Sequence, residues 1–169
     1  MKGKILFKEE QSFVGTWLFY LVIGVCALAT LGAAIPIWLN RETTEGIIGV
    51  VISAVVCFGV VMLFIYSKLY VTIDEGAIYY RYPPFVNSEK RLTQADIKEA
   101  YVRKYEPIWE YGGWGYRISL GKGRAMNVVG NQGLQLILSN GKQLLLGTQK
   151  PEAMRQAVKR LKENWGIDG

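Results

Sequence analysis

Two patterns of apolar residues divide the chain. Phe13 to Leu39 reads FVGTWLFYLVIGVCALATLGAAIPIWL, and Gly46 to Tyr66 reads GIIGVVISAVVCFGVVMLFIY. Neither stretch holds a charged side chain. At about 1.5 Å per helical residue each can cover a hydrocarbon core of about 30 Å. The pattern predicts two transmembrane helices, at 13–39 and 46–66. The link between them, NRETTE, is so short that it forces an antiparallel hairpin. Trp17 and Trp38 would sit at the two headgroup levels as belt anchors. The first stretch is too long for a signal-peptide core, and a second follows at once.

From Leu69 the period changes to two. Leu69, Val71 and Ile73 alternate with Tyr70 and Thr72, and after Asp74-Glu75-Gly76 the alternation resumes at Ile78, Tyr80 and Tyr82. That reads as a β-hairpin ended by Pro83-Pro84. Further strands are expected at 88–92, 97–104, 116–120, 124–129, 134–138 and 143–146, with 93–97 as a helical turn or a loop. Ser139-Asn140-Gly141 is a strong hairpin turn. Leu134, Leu136 and Leu138 face one way and Gln135 the other. Pro151 opens a helix, where its missing N–H costs nothing. Ala153, Ala157, Leu161 and Trp165 step by four along it, beside Met154 and Val158. The expectation is an α+β membrane protein: a segment at 1–12, a helical hairpin at 13–66, and an antiparallel β-barrel or sandwich at 67–169. Met154, Val158, Leu161 and Trp165 of the C-terminal helix would plug one end.

Charge adds an orientation. Residues 1–66 carry four basic and four acidic groups, whereas residues 67–169 carry sixteen and ten. Lys2, Lys4 and Lys8 flank the first span and Lys68 and Arg81 follow the second, against only Arg41 in the link. The positive-inside bias puts both termini and the C-terminal domain in the cytoplasm, on a multi-pass protein of the cell membrane. Small residues along the spans (Gly24, Ala27, Gly32, Ala33, Gly46, Gly49, Ser53, Gly59) permit close backbone approach, chiefly of the hairpin to itself.

The chemistry is sparse. There is no histidine, and both cysteines, Cys26 and Cys57, lie in the apolar stretches. The commonest base and metal ligand is therefore missing, and no thiolate serves the C-terminal domain. No phosphate-loop or dinucleotide fingerprint occurs. Glu106 and Glu110 are four apart, but Pro107 argues against a helix between them. The expectation is a protein that is not an enzyme, with no cofactor, metal, nucleic acid or small-molecule substrate.

One stretch is unusual. Residues 105–117 read YEPIWEYGGWGYR, with Trp109, Tyr111 and Trp114 among three glycines and Arg117 beside them. Three uses fit it. The rings could close the end of the barrel, with Arg117 paired to Glu106 or Glu110. They could form an anchor patch for a protein partner or a second copy, for which Trp, Tyr and Arg are typical. They could also touch the bilayer interface. Trp109, Tyr111, Gly113, Trp114 and Arg117 are the candidate partner-binding residues.

The order of elements, with YGGWGYR (111–117), GNQGLQLIL (130–138) and SNGKQLLLGTQKPEAM (139–154), resembles the bacterial pleckstrin-homology-like domains. In particular it resembles small membrane proteins that join two spans to one such domain. The resemblance covers residues 67–165 and implies a fold, not an activity. Eukaryotic pleckstrin-homology domains that bind phosphoinositides place Lys and Arg around their first hairpin. Here that turn is Asp74-Glu75-Gly76, which repels phosphate. Looser attraction of anionic lipid is left to Lys68, Arg81, Lys90 and Arg91. The expected function is a membrane-anchored interaction protein; the alternative is a sensor of anionic lipid.

Overall fold

The computed structural model describes residues 3–40 and 43–166. They form two compact units: residues 13–66, and residues 1–12 together with 67–169.

The first unit is a pair of helices, α1 (Trp17–Asn40) and α2 (Thr43–Tyr66). Trp17–Ile35 and Gly46–Tyr66 are each long and apolar enough to cross a membrane. The side chain of Trp38 and the whole of Arg41 lie outside the described residues. Side chains of α1, and of Phe13 just before it, meet α2. The Phe13 and Phe64 rings are 5.0 Å apart, and the Cys57 thiol donates to the Cys26 carbonyl at 3.6 Å. A Cβ added at Gly24, Gly32, Gly49 or Gly59 would meet nothing within 4 Å. These four glycines therefore do not mediate the close self-packing that the sequence leads one to expect.

The second unit holds two sheets and a helix. One sheet has the order β1-β2-β3-β4, with β1 (Ile5–Ser12), β2 (Lys68–Asp74), β3 (Ala77–Tyr82) and β4 (Val86–Thr93). The region expected to be a separate N-terminal segment is thus largely an edge strand of this sheet. Its last residue, Ser12, pairs with Lys68, the first of β2. The apolar hairpin is therefore an insertion between two paired antiparallel strands. Phe7, Glu9 and Gln11 of β1 point inward and are buried. Glu9 accepts hydrogen bonds from Thr148 Oγ1 (2.7 Å) and the Gln149 N–H (3.0 Å). Gln11 Nε2 donates to the Gly147 carbonyl at 2.7 Å. Two polar residues thus tie the start of the chain to a segment more than a hundred positions later.

A 3₁₀ turn at Gln94–Asp96 leads to the second sheet, of order β5-β8-β9-β7-β6. Its strands are β5 (Ile97–Lys104), β6 (Gly115–Ser119), β7 (Gly123–Asn127), β8 (Gln132–Leu138) and β9 (Gln143–Gly147). The expected antiparallel meander is broken once, because β7 pairs with β9 in parallel. Glycine at each end of that pair explains why the strands can approach. A Cβ at Gly123 would lie 2.2 Å from the Gln143 carbonyl oxygen, and one at Gly147 would lie 2.7 Å from Asn127 Cβ. The C-terminal helix, α4 (Pro151–Asn164), buries Met154, Ala157, Val158 and Leu161 against strands of both sheets. Trp165 caps the helix from a half-buried position and is not part of its buried stripe.

Candidate interaction site

The aromatic segment folds around a short helix, α3 (Pro107–Tyr111). Pro107 does not prevent it. Proline stands at the first helical position, where no N–H partner is needed. Gly112 stops the helix in a left-handed conformation (φ 73°), and its N–H donates to the Ile108 carbonyl at 2.8 Å.

An ion pair holds this helix to the sheet. Arg103, near the end of β5, donates from Nη1 (3.0 Å) and Nη2 (2.7 Å) to the two oxygens of Glu110. Its Nε donates to Gln135 Oε1 at 3.1 Å. Glu110 also accepts the Glu106 N–H at 2.9 Å. The two side chains are only 25% and 19% exposed, so water screens the pair weakly. Hydrogen bonding from Arg103 holds the Glu110 carboxyl below the usual carboxylate range, against an upward push from burial. The expected pairing of Arg117 with Glu106 or Glu110 is replaced by this one. Arg117 instead donates from Nε to the Trp114 carbonyl at 3.0 Å.

The aromatic residues take separate roles. Tyr111 is buried with Tyr105, Ala125 and Leu145, and its ring stands edge-on to Tyr105 at 6.0 Å. Leu145 lies between Leu144 and Leu146 on β9, so this cluster occupies the opposite face of the strand from those two. Gln135, which pairs with Leu145, faces the same covered side and is buried, with the Arg103 guanidinium bonded to it. Burial raises the Tyr111 phenol, and the Tyr105 phenol is pushed up to about 12 for the same reason. Trp114 is half-buried, with its indole N–H on the Gly130 carbonyl at 3.0 Å. Gly113 is buried near the Arg117 guanidinium. Trp109 differs from the rest: it is 86% exposed, next to an exposed Ile108. The five candidate partner-binding residues are thus close in space, but only Trp109 and Arg117 are exposed.

The candidate lipid-binding residues do not form one set. Leu69, Val71 and Ile73 are buried, so Lys68, Tyr70 and Thr72 face away from the core. Pairing of Tyr70 with Arg81, Thr72 with Tyr79, and Tyr79 with Arg91 brings Arg81 and Arg91 to that same face. Lys90 pairs with Tyr80 and falls on the opposite one. Arg81 stacks over Tyr70 at 4.7 Å, and Lys68 is paired with Glu10 at 3.1 Å. Asp74 of the acidic turn is buried and accepts the N–H groups of Gly76, Ala77 and Gly3. Burial pushes its carboxyl up, but these three donors and the Tyr79 hydroxyl outweigh that and leave it lower than usual.

No family model and no curated protein matches this chain. The Arg103–Glu110 pair leaves no signature in the sequence, because the partners lie on different elements, seven positions apart. The trace left in the sequence is the four-residue spacing of Glu106 and Glu110, which here returns the Glu110 carboxylate to the Glu106 backbone N–H.

Proposed function

We propose that the chain is a membrane-anchored, non-enzymatic interaction protein. Its hairpin spans the bilayer, and a pleckstrin-homology-like unit on the cytoplasmic side binds a protein partner or a second copy. The pairing of β1 with β2 supports the two-span reading. Chain before the hairpin and chain after it must lie on one side, which two crossings satisfy and a single crossing would not. The positive-inside bias of Lys2, Lys4 and Lys8 over Arg41 chooses the cytoplasm for that side.

The observation that carries the binding role is Trp109. A large aromatic side chain is held almost wholly in solvent by a helix that is fixed at both ends and bolted down by Glu110. Exposed indole on a rigid support suits a hot-spot anchor, because little ordering entropy is lost when it docks. The test is affinity purification from native membranes extracted in mild detergent. The partner should be recovered with wild type and lost with Trp109→Ala, which removes a side chain that is 86% exposed. Equal recovery from both would end this reading.

A second reading has one observation in its favour: Lys68, Arg81 and Arg91 share a sheet face. Attraction of anionic vesicles through that face should fade steeply with salt, whereas a Trp109 contact should persist.

A further inference from the structure

We infer that a cavity between the β6–β7 turn and the β8–β9 turn binds a single-chain amphiphilic anion, with its apolar chain on Leu138 and Leu144 and its acid group between Arg124 and Lys142. The cavity has a volume of about 340 Å³, within the range of small-ligand sites. It lies where the ends of four strands of one sheet meet β3 of the other. Leu144 is buried at its floor and Leu138 is half-buried beside it. Ile118 forms one wall and Tyr80 comes from the opposite sheet.

The polar part of the lining has one sign. Arg124 and Lys142 both line the cavity, and no Asp or Glu does. No carboxylate pairs with either cation among the described residues. The positive charge of Arg124 is felt at Tyr80, where it opposes the rise that burial gives the phenol. The hollow therefore offers apolar contact together with the attraction of two cations that have no carboxylate partner among the described residues. One molecule with an apolar body and one acidic head uses both. A plain anion would leave the leucines wet, and a neutral hydrocarbon would leave the cations unpaired. The rim continues outward through Ile118, 68% exposed, and a fully exposed Leu120, so a chain longer than the cavity still finds apolar surface. This site is separate from Trp109, and the inference stands whether or not that residue engages a partner.

The same chemistry is available from a free fatty acid or from an anionic lipid whose chain leaves the bilayer, and two arms separate them. Full-length protein in neutral phosphatidylcholine nanodiscs is irradiated with a diazirine analogue of decanoic acid, or with a diazirine lysophosphatidylglycerol built into the disc. Adducts are then mapped by mass spectrometry. Adducts within 118–124 or 138–144 are expected in at least one arm, and the arm that gives them names the source. Excess decanoate should compete with the free probe. The double variant Arg124→Gln/Lys142→Gln should reduce labelling about tenfold or more through the lost charge-assisted hydrogen bonds. Both positions are exposed, and leucine and isoleucine methyl spectra check that the fold is kept. Ile118→Trp should block labelling with both cations in place. Adducts confined to residues 17–66 in both arms would overturn the inference. So would labelling that a neutral decanol analogue matches and the double variant leaves unchanged.

Discussion

Glu110→Ala should release α3 from the sheet while leaving the sheet intact. The substitution removes an acceptor of three hydrogen bonds: from Arg103 at 3.0 and 2.7 Å, and from the Glu106 N–H at 2.9 Å. An exposed ion pair is worth about 0–1 kcal/mol, and breaking a fully buried one costs about 3–5 kcal/mol. With side chains 25% and 19% exposed, and with Arg103 keeping Gln135 as a partner, a value of about 2 kcal/mol falls between these limits. The loss is local, so it should appear as opening of the helix. The N–H groups of Gly112 and Gly113, bonded to the Ile108 and Pro107 carbonyls, should exchange about 30-fold faster. Amides of β2 and β3 should not change. Hydrogen exchange read by mass spectrometry resolves these segments.

Acid should weaken the same contact. The folded Glu110 carboxyl is held low, chiefly by Arg103. Its contribution is therefore complete above the unfolded carboxylate value of about 4.3 and is lost as pH falls through the lower folded value. The gap between wild type and Glu110→Ala should be full at neutral pH and should narrow only in strong acid. Unchanged exchange in the variant at neutral pH would show that the pair does not hold α3, as would a gap that does not narrow on acidification.

Three other perturbations test the frame. Gly147→Ala forces a Cβ to 2.7 Å from that of Asn127 and should cost about 1–3 kcal/mol, read as a lowered melting temperature by near-ultraviolet circular dichroism. Asn127→Ala removes the acceptor of the Gly115 N–H and the donor to the buried Tyr105 hydroxyl, and should cost about 2–4 kcal/mol by the same measurement. Glu9→Ala breaks the link from β1 to the segment before α4. It should cost about 2–3 kcal/mol and speed trypsin cleavage at Lys8, which the intact strand protects.

Much of the frame is legible in the residues. Uncharged runs mark the two helices, and alternation with Asp-Glu-Gly and Ser-Asn-Gly turns marks the strands. Proline followed by a four-residue apolar step marks α4. What stays hidden is hidden for physical reasons. β1 points Glu9 and Gln11 inward, so its period-two pattern looks like a charged flank until Thr148 and Gly147 are seen beside it. The parallel β7–β9 pair depends on missing Cβ atoms at Gly123 and Gly147, and glycine in sequence reads first as a turn. Gln135 reads as a solvent-facing residue, and nothing in its alternation shows that Arg103 of β5 bonds to it on a buried face. Within the aromatic segment, composition cannot separate Tyr111, which packs inward, from Trp109, which does not. That choice is made by the helical turn Pro107 starts and Gly112 ends.

The most direct test places a photo-crosslinking amino acid at position 109 of the full-length chain in native membranes, with exposed Ala153 on α4 as the control position. Discrete adducts, either with one partner or at twice the chain mass, should form from position 109 and not from position 153. No adduct from position 109, or the same products from both positions, would contradict the role given to Trp109.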